Sequence, residues 1–288
     1  MPTVEGQFID LPGRGLRLHY RDWGGSGPPI LLLHGLSSNT RIWDWTAPLL
    51  TDRFRVIALD QRGHGPSDVP ESGYGFDETV PDVVAFIEAR GLDRPIVVGH
   101  SWGASVALAL GVEHPEHTRG VVMVDGGLIE LSRHRTWAEA ERDLMPPELD
   151  GIPVESFVKG IRQWQQAADW SDELGEMVLA NFAIRDEKVY RRLPIPLHMQ
   201  IARAIYEMRP SDLLPKLTRP ALAISCELEP TEERGLAWQT IRREGIERAR
   251  SLAPTLEVVV MADTVHDVPI QRPRELADLT AGFAAPLS

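Results

Sequence analysis

The chain has 288 residues, 43% of them hydrophobic and 25% charged, with a mean hydropathy of −0.18. These are globular proportions, and they exclude disordered, collagen-like and coiled-coil classes. Thirty Lys and Arg against 42 Asp and Glu give a net charge of −12, so repulsion from phosphate argues against nucleic acid or an anionic membrane as partner.

The length fits two domains, or one α/β domain with an insertion. Cys226 is the single cysteine, which rules out an intrachain disulfide or a Cys₄ zinc site and suits a reducing compartment. The stretch Met1–Gly6 has neither the basic nor the apolar region of a signal peptide, and no stretch reaches the roughly 18 apolar residues of a membrane span. A soluble, cytoplasmic protein is expected.

In chain order, Leu16–Tyr20 alternates as an early edge strand should. Ile30–Leu33, Val56–Leu59, Ile96–Val98 and Val121–Val124 are short unbroken apolar runs, the pattern of strands buried on both faces. Helical patterns lie between them. One is expected to start with Asp77 as N-cap, repeat at Val80, Val83, Val84 and Ile87, and stop at Gly91; another runs from Trp102 to His114 before Pro115. After Gly126-Gly127 the pattern changes to amphipathic helices alone: Phe157, Val158, Ile161, Trp164; then Leu174, Met177, Val178, Phe182; then Leu197, Ile201, Ile205, Met208. Strand runs resume at Ala221–Ile224 and Leu256–Val260. The expected organisation is a discontinuous sheet core, 1–127 and 215–288, interrupted by a helical cap, 128–214.

Gly99-His100-Ser101-Trp102-Gly103 is the one G-x-S-x-G. By itself such a string is weak, but it follows a strand run and precedes a helix, the setting of a nucleophile elbow. Together with Leu32-Leu33-His34-Gly35-Leu36 and Asp60-Gln61-Arg62-Gly63-His64-Gly65-Pro66-Ser67, it resembles the motif series of the α/β-hydrolase fold superfamily, in its cap-bearing serine-hydrolase branch. The resemblance implies a mostly parallel eight-stranded sheet flanked by helices, with the cap inserted after strand six.

It also implies Ser101 as nucleophile and, since the chain order is Ser, acid, His, a late base; His266 is the only histidine placed there. The acid has two candidates. The turn after the strand run at 221–224 reads Cys226-Glu227-Leu228-Glu229-Pro230 where the family has Gly-x-x-Asp, which disturbs the usual site and leaves Glu229 as an alternative. Asp125, at the end of the preceding strand, is preferred, with Glu227 and Asp263 more remote. Leu36 and Trp102 are implied as backbone N–H donors of an oxyanion hole. Gly35, Trp102, Trp137 and Trp164 are expected near the substrate. His34 and His100 are read as shaping the loop and the elbow, and His64 as structural. His114, His117, His134 and His198 are read as solvated, with no metal-ligand spacing.

The expected reaction is hydrolysis of a small-molecule ester or lactone through an acyl-enzyme, without metal or organic cofactor; a homodimer is compatible with it. Serine at the elbow argues against the dehalogenases and epoxide hydrolases of this fold, which use aspartate. The alternatives are carbon–carbon bond hydrolysis of a diketone-type substrate, which wants a basic residue that the sequence does not locate, and a catalytically silent binding protein.

Overall fold

The structure, a computed structural model, describes residues 4–164, 170–229 and 233–287, with the side chains of 163, 164, 233 and 234 left aside. The first half gives β1 (Gly6–Leu11), β2 (Leu16–Gly24), β3 (Pro29–Leu33), β4 (Arg55–Leu59), α1 (Phe76–Ala89), β5 (Ile96–His100), α2 (Trp102–Glu113) and β6 (Gly120–Val124). An insertion follows: α3 (Trp137–Leu144), β7 (Ile152–Pro153), α4 (Val154–Trp164), α5 (Asp172–Leu179), β8 (Phe182–Arg185), β9 (Lys188–Arg191), α6 (Ile195–Glu207) and α7 (Pro210–Leu213). The chain then returns with β10 (Ala221–Glu227), α8 (Glu233–Leu252), β11 (Leu256–Ala262), α9 (Val268–Gln271) and α10 (Pro273–Ala284).

Eight strands form one sheet in the order β1-β2-β4-β3-β5-β6-β10-β11. Only β2 pairs antiparallel, with β1 and with β4; the remaining pairs are parallel. The unbroken apolar runs divide between the two faces with period two. Leu31, Leu33, Ile57, Leu59, Val97 and Val121 pack with α1 and α2, while Ile30, Leu32, Val56, Val98 and Val122 pack with Trp43 and α10. Each such side chain, removed from water, contributes about 1.5–3 kcal/mol, and burial on both faces is why these strands read as continuous rather than alternating. The strand β1, with five of its six residues short of full burial, carried too weak a pattern to be expected from the sequence.

Two expectations need correction. Helix α1 begins at Phe76 with Gly75 as its N-cap, and Asp77 lies in the first turn, where its charge still favours the helix N-terminus. The insertion is not helical alone: β7, β9 and β8 form a three-stranded antiparallel sheet. Phe182, whose spacing continued a helical stripe, instead opens β8 after α5 stops at Leu179. The local spacing fits both periods, and the turn at Asp186-Glu187, both at positive φ, closes the hairpin. Pairing places the carboxyl ends of β5, β6 and β10 side by side, where an open parallel sheet presents its crevice.

Candidate active site

At the end of β5 the backbone turns sharply. Ser101 has φ 56° and ψ −117°, a strained conformation for a residue with a side chain, and α2 starts at the next residue. Its N–H donates to the Val124 carbonyl at 2.8 Å, tying the turn to β6. Gly99 permits the close return of the chain, since a Cβ there would stand 2.0 Å from the Gly103 carbonyl oxygen. Gly35 does the same across the loop after β3: its Cβ would lie 2.9 Å from Ser101 Cβ and 3.4 Å from Ser101 Oγ. That loop therefore lies directly over the serine. Leu36 follows it half-buried, and Trp102 opens α2 fully buried.

Asp125 sits just past β6, at φ 45°, with its N–H donating to the Ile224 carbonyl at 2.7 Å. Its side chain is 1% exposed and fully engaged. Oδ1 accepts the Cys226 N–H at 2.9 Å; Oδ2 accepts from His266 Nδ1 at 2.6 Å and from Arg242 Nη2 at 3.2 Å. Burial alone would raise this carboxyl, but the hydrogen bond and charge of His266, with Arg242 and the Cys226 N–H, outweigh it and hold the group below the ordinary carboxylate value. His266 lies in the loop between β11 and α9, its ring about half exposed. Desolvation pulls the imidazole down, yet the hydrogen bond and charge of Asp125 win and raise it above its ordinary value. Glu229, the alternative acid, is exposed, and among the described residues the carboxylate bonded to His266 is that of Asp125.

The supporting residues form a layer of neutral histidines. Burial, then the neighbouring His266 charge, lowers His100 to about 4, and its Nε2 donates to the His266 carbonyl at 2.8 Å. His34 donates from Nδ1 to the Gly35 carbonyl at 2.7 Å and accepts the Gln61 N–H at 3.1 Å, which binds the loop after β3 to the turn after β4. His64, lowered to about 4 chiefly by burial, accepts the Ser37 N–H at 3.2 Å and stacks on Trp102 with ring centroids 5.3 Å apart. His198 departs from expectation: it is buried, accepts from Ser37 Oγ at 3.0 Å and donates to the Leu144 carbonyl at 3.1 Å, so α6 of the insertion rests on the loop beside Leu36. Its position in an amphipathic helix read as solvent-facing because only the tertiary fold supplies the partner.

Trp137 packs edge-on to Tyr206, at 5.3 Å, under the guanidinium of Arg203, so it serves the packing of α3 on α6. The Trp164 side chain falls outside the described residues. His114, Glu116 and His117 place their ligand atoms within 4.8 Å of one another, which corrects the expectation of no metal-ligand spacing there; they lie after α2, near the start of β6 and away from Ser101. Sequence reasoning missed Arg242. It lies in a helix rich in Arg and Glu, and nothing local distinguishes it from its solvated neighbours.

The family model for the alpha/beta hydrolase fold matches residues 28–189, which carry β3 to β6 with the elbow and the loop over it. The chain belongs to that family. Among curated proteins, this alpha/beta hydrolase is similar to a 2-(acetamidomethylene)succinate hydrolase of Mesorhizobium japonicum, 41% identical over 35% of this chain and 36% of that protein. It is also similar to an N-formylmaleamate deformylase of Pseudomonas putida, 27% identical over 96% of this chain and 93% of that one. The match to the first of these thus spans little more than a third of that relative's length. The crystal structure of an E-2-(acetamidomethylene)succinate hydrolase superposes with a TM-score of 0.79 at 24% identity, over 98% of this chain and 100% of the other, a likeness of fold. Among the described residues no helix is long and apolar enough to cross a membrane.

Proposed function

We propose that the protein hydrolyses a carboxylic ester or lactone of a small molecule through Ser101, His266 and Asp125. The observation that carries this reading is the contact of His266 Nδ1 with a buried carboxylate, 2.6 Å away, which leaves Nε2 as the free, basic nitrogen. Nε2 takes the proton from Ser101 Oγ as the oxygen attacks the carbonyl carbon. The tetrahedral oxyanion is stabilised by the N–H groups of Leu36 and Trp102. Collapse expels the alcohol, which receives the proton from His266. Water, deprotonated by the same nitrogen, then releases the acid and regenerates the serine. Asp125 stays ionised and stabilises the imidazolium that forms twice per cycle. Residues 128–214 act as a cap over this site.

An activated amide is the second reading, because the same steps expel an amine and the near full-length relative is named a deformylase. A pre-steady-state assay with p-nitrophenyl acetate tests the first. A burst of one equivalent of nitrophenolate, absent from Ser101→Ala, is expected; steady release without a Ser101-dependent acyl adduct would reject the acyl-enzyme.

A further inference from the structure

A cleft beside the loop over Ser101 plays no part in the steps above. It holds about 20 Å³, the room of one small polar group, and opens to solvent between Ser37 and Ser38, the turn at His64, and Asn181, Arg191 and Arg192 of the insertion. It begins one residue beyond Leu36, about 3.8 Å along the backbone. His64 on its wall stacks on Trp102, so the cleft and the candidate oxyanion hole share a boundary.

Its charge is opposite to that of the chain. In a protein of net −12, two guanidinium groups line the cleft and, among the described residues, no Asp or Glu does. Arg191 is partly occupied: one Nη donates to the Pro147 carbonyl, and its backbone N–H bonds Asp150. Among the described residues Arg192 has no ion pair; its Nε, like that of Arg191, is buried without an acceptor. A buried donor without a partner is costly, and a guanidinium is the side chain best shaped to take a carboxylate with two parallel bonds. The field of the whole chain repels an anionic substrate, so one could be held only by local cations of this kind.

We propose that this cleft is a subsite for a carboxylate carried by the substrate, with Arg192 as its partner. The proposal rests on the reading of Ser101 as nucleophile and narrows the substrate to an ester, lactone or amide bearing an acid group.

Two matched ester pairs test it: mono-p-nitrophenyl succinate against p-nitrophenyl butyrate, and 4-acetoxybenzoate against phenyl acetate. Wild type should favour the charged member of at least one pair in kcat/KM, by roughly tenfold to a hundredfold. In Arg192→Gln that ratio should collapse toward one, and Arg192→Lys should retain part of it. A wild-type ratio near one in both pairs, or an unchanged ratio in Arg192→Gln, overturns the proposal. Calorimetric titration of Ser101→Ala protein with succinate, with and without Arg192→Gln, needs no turnover. Arg192-dependent succinate binding by a chain that hydrolyses no ester would support the subsite while rejecting the reading of Ser101. Succinate binding that ignores Arg192, or phosphate bound as tightly as succinate, would overturn the subsite.

Discussion

His266 and Asp125, 141 residues apart in the chain, meet at 2.6 Å because β6 and β11 flank β10 in the sheet. The strand before the insertion and the last strand of the core thus deliver one residue each to the same point. Asp125→Asn keeps the shape but presents the wrong hydrogen-bonding group to Nδ1. A loss in kcat on the order of 10⁴ is expected, the size seen for the same change in trypsin. Glu229→Gln should stay within about twofold of wild type. The opposite ranking on p-nitrophenyl esters would move the acid to the turn after β10.

Arg242 shares Oδ2 of Asp125 with His266, and its charge opposes protonation of the imidazole. In the proposed cycle His266 works only when neutral, so kcat/KM should fall as pH drops through its pKa, which lies above the ordinary value of about 6.5. Arg242→Gln removes a charge that lowers this pKa. The acid limb of the profile should therefore move to higher pH, and Arg242→Lys should leave it near wild type. An acid limb that stays at the wild-type pH would show that Arg242 acts only as packing, and one that moves to lower pH would contradict the electrostatic account.

Gly35→Ala places a methyl group 2.9 Å from Ser101 Cβ. The loop must retreat, and Leu36 N–H with it. A fall in kcat of about 10²–10³, the effect of losing one oxyanion donor, is expected with little change in Tm. Unchanged kcat would detach this loop from the chemistry.

The insertion is seated on the loop over Ser101 through Ser37 with His198, at 3.0 Å, and Asn39 with Asn181, at 2.5 Å. A roof so close favours compact substrates. Activity on soluble acetate, butyrate and small lactones should exceed that on emulsified long-chain triglycerides; the reverse order would mean that the insertion opens freely.

The core was legible from sequence because its signals are local and redundant. Apolar runs such as Val121–Val124 mark strands buried on both faces, and the glycines around Ser101 and at Gly35 answer to contacts of 2–3 Å that no side chain tolerates. The insertion was less legible. Its strands have two to four residues with few buried positions, so Phe182 joined a helical stripe by spacing alone. Arg242, Arg192 and His198 could not be singled out at all, because their partners, or the lack of one, arise from segments brought together only in the fold. The single cysteine is instructive in a different way. Cys226 disturbs the family turn in sequence, but in the structure its thiol is buried and its N–H braces Asp125, the carboxylate that faces His266.

The central claim is that Ser101 is a nucleophile activated by His266. The most direct measurement is intact-mass and peptide analysis after incubation with a fluorophosphonate, which reacts with an activated serine in proportion to its nucleophilicity. One adduct per chain, located on Ser101, slowed strongly by Asp125→Asn and abolished by Ser101→Ala, is the result predicted. A folded wild-type chain that remains unlabelled, or one labelled on another residue, would contradict it.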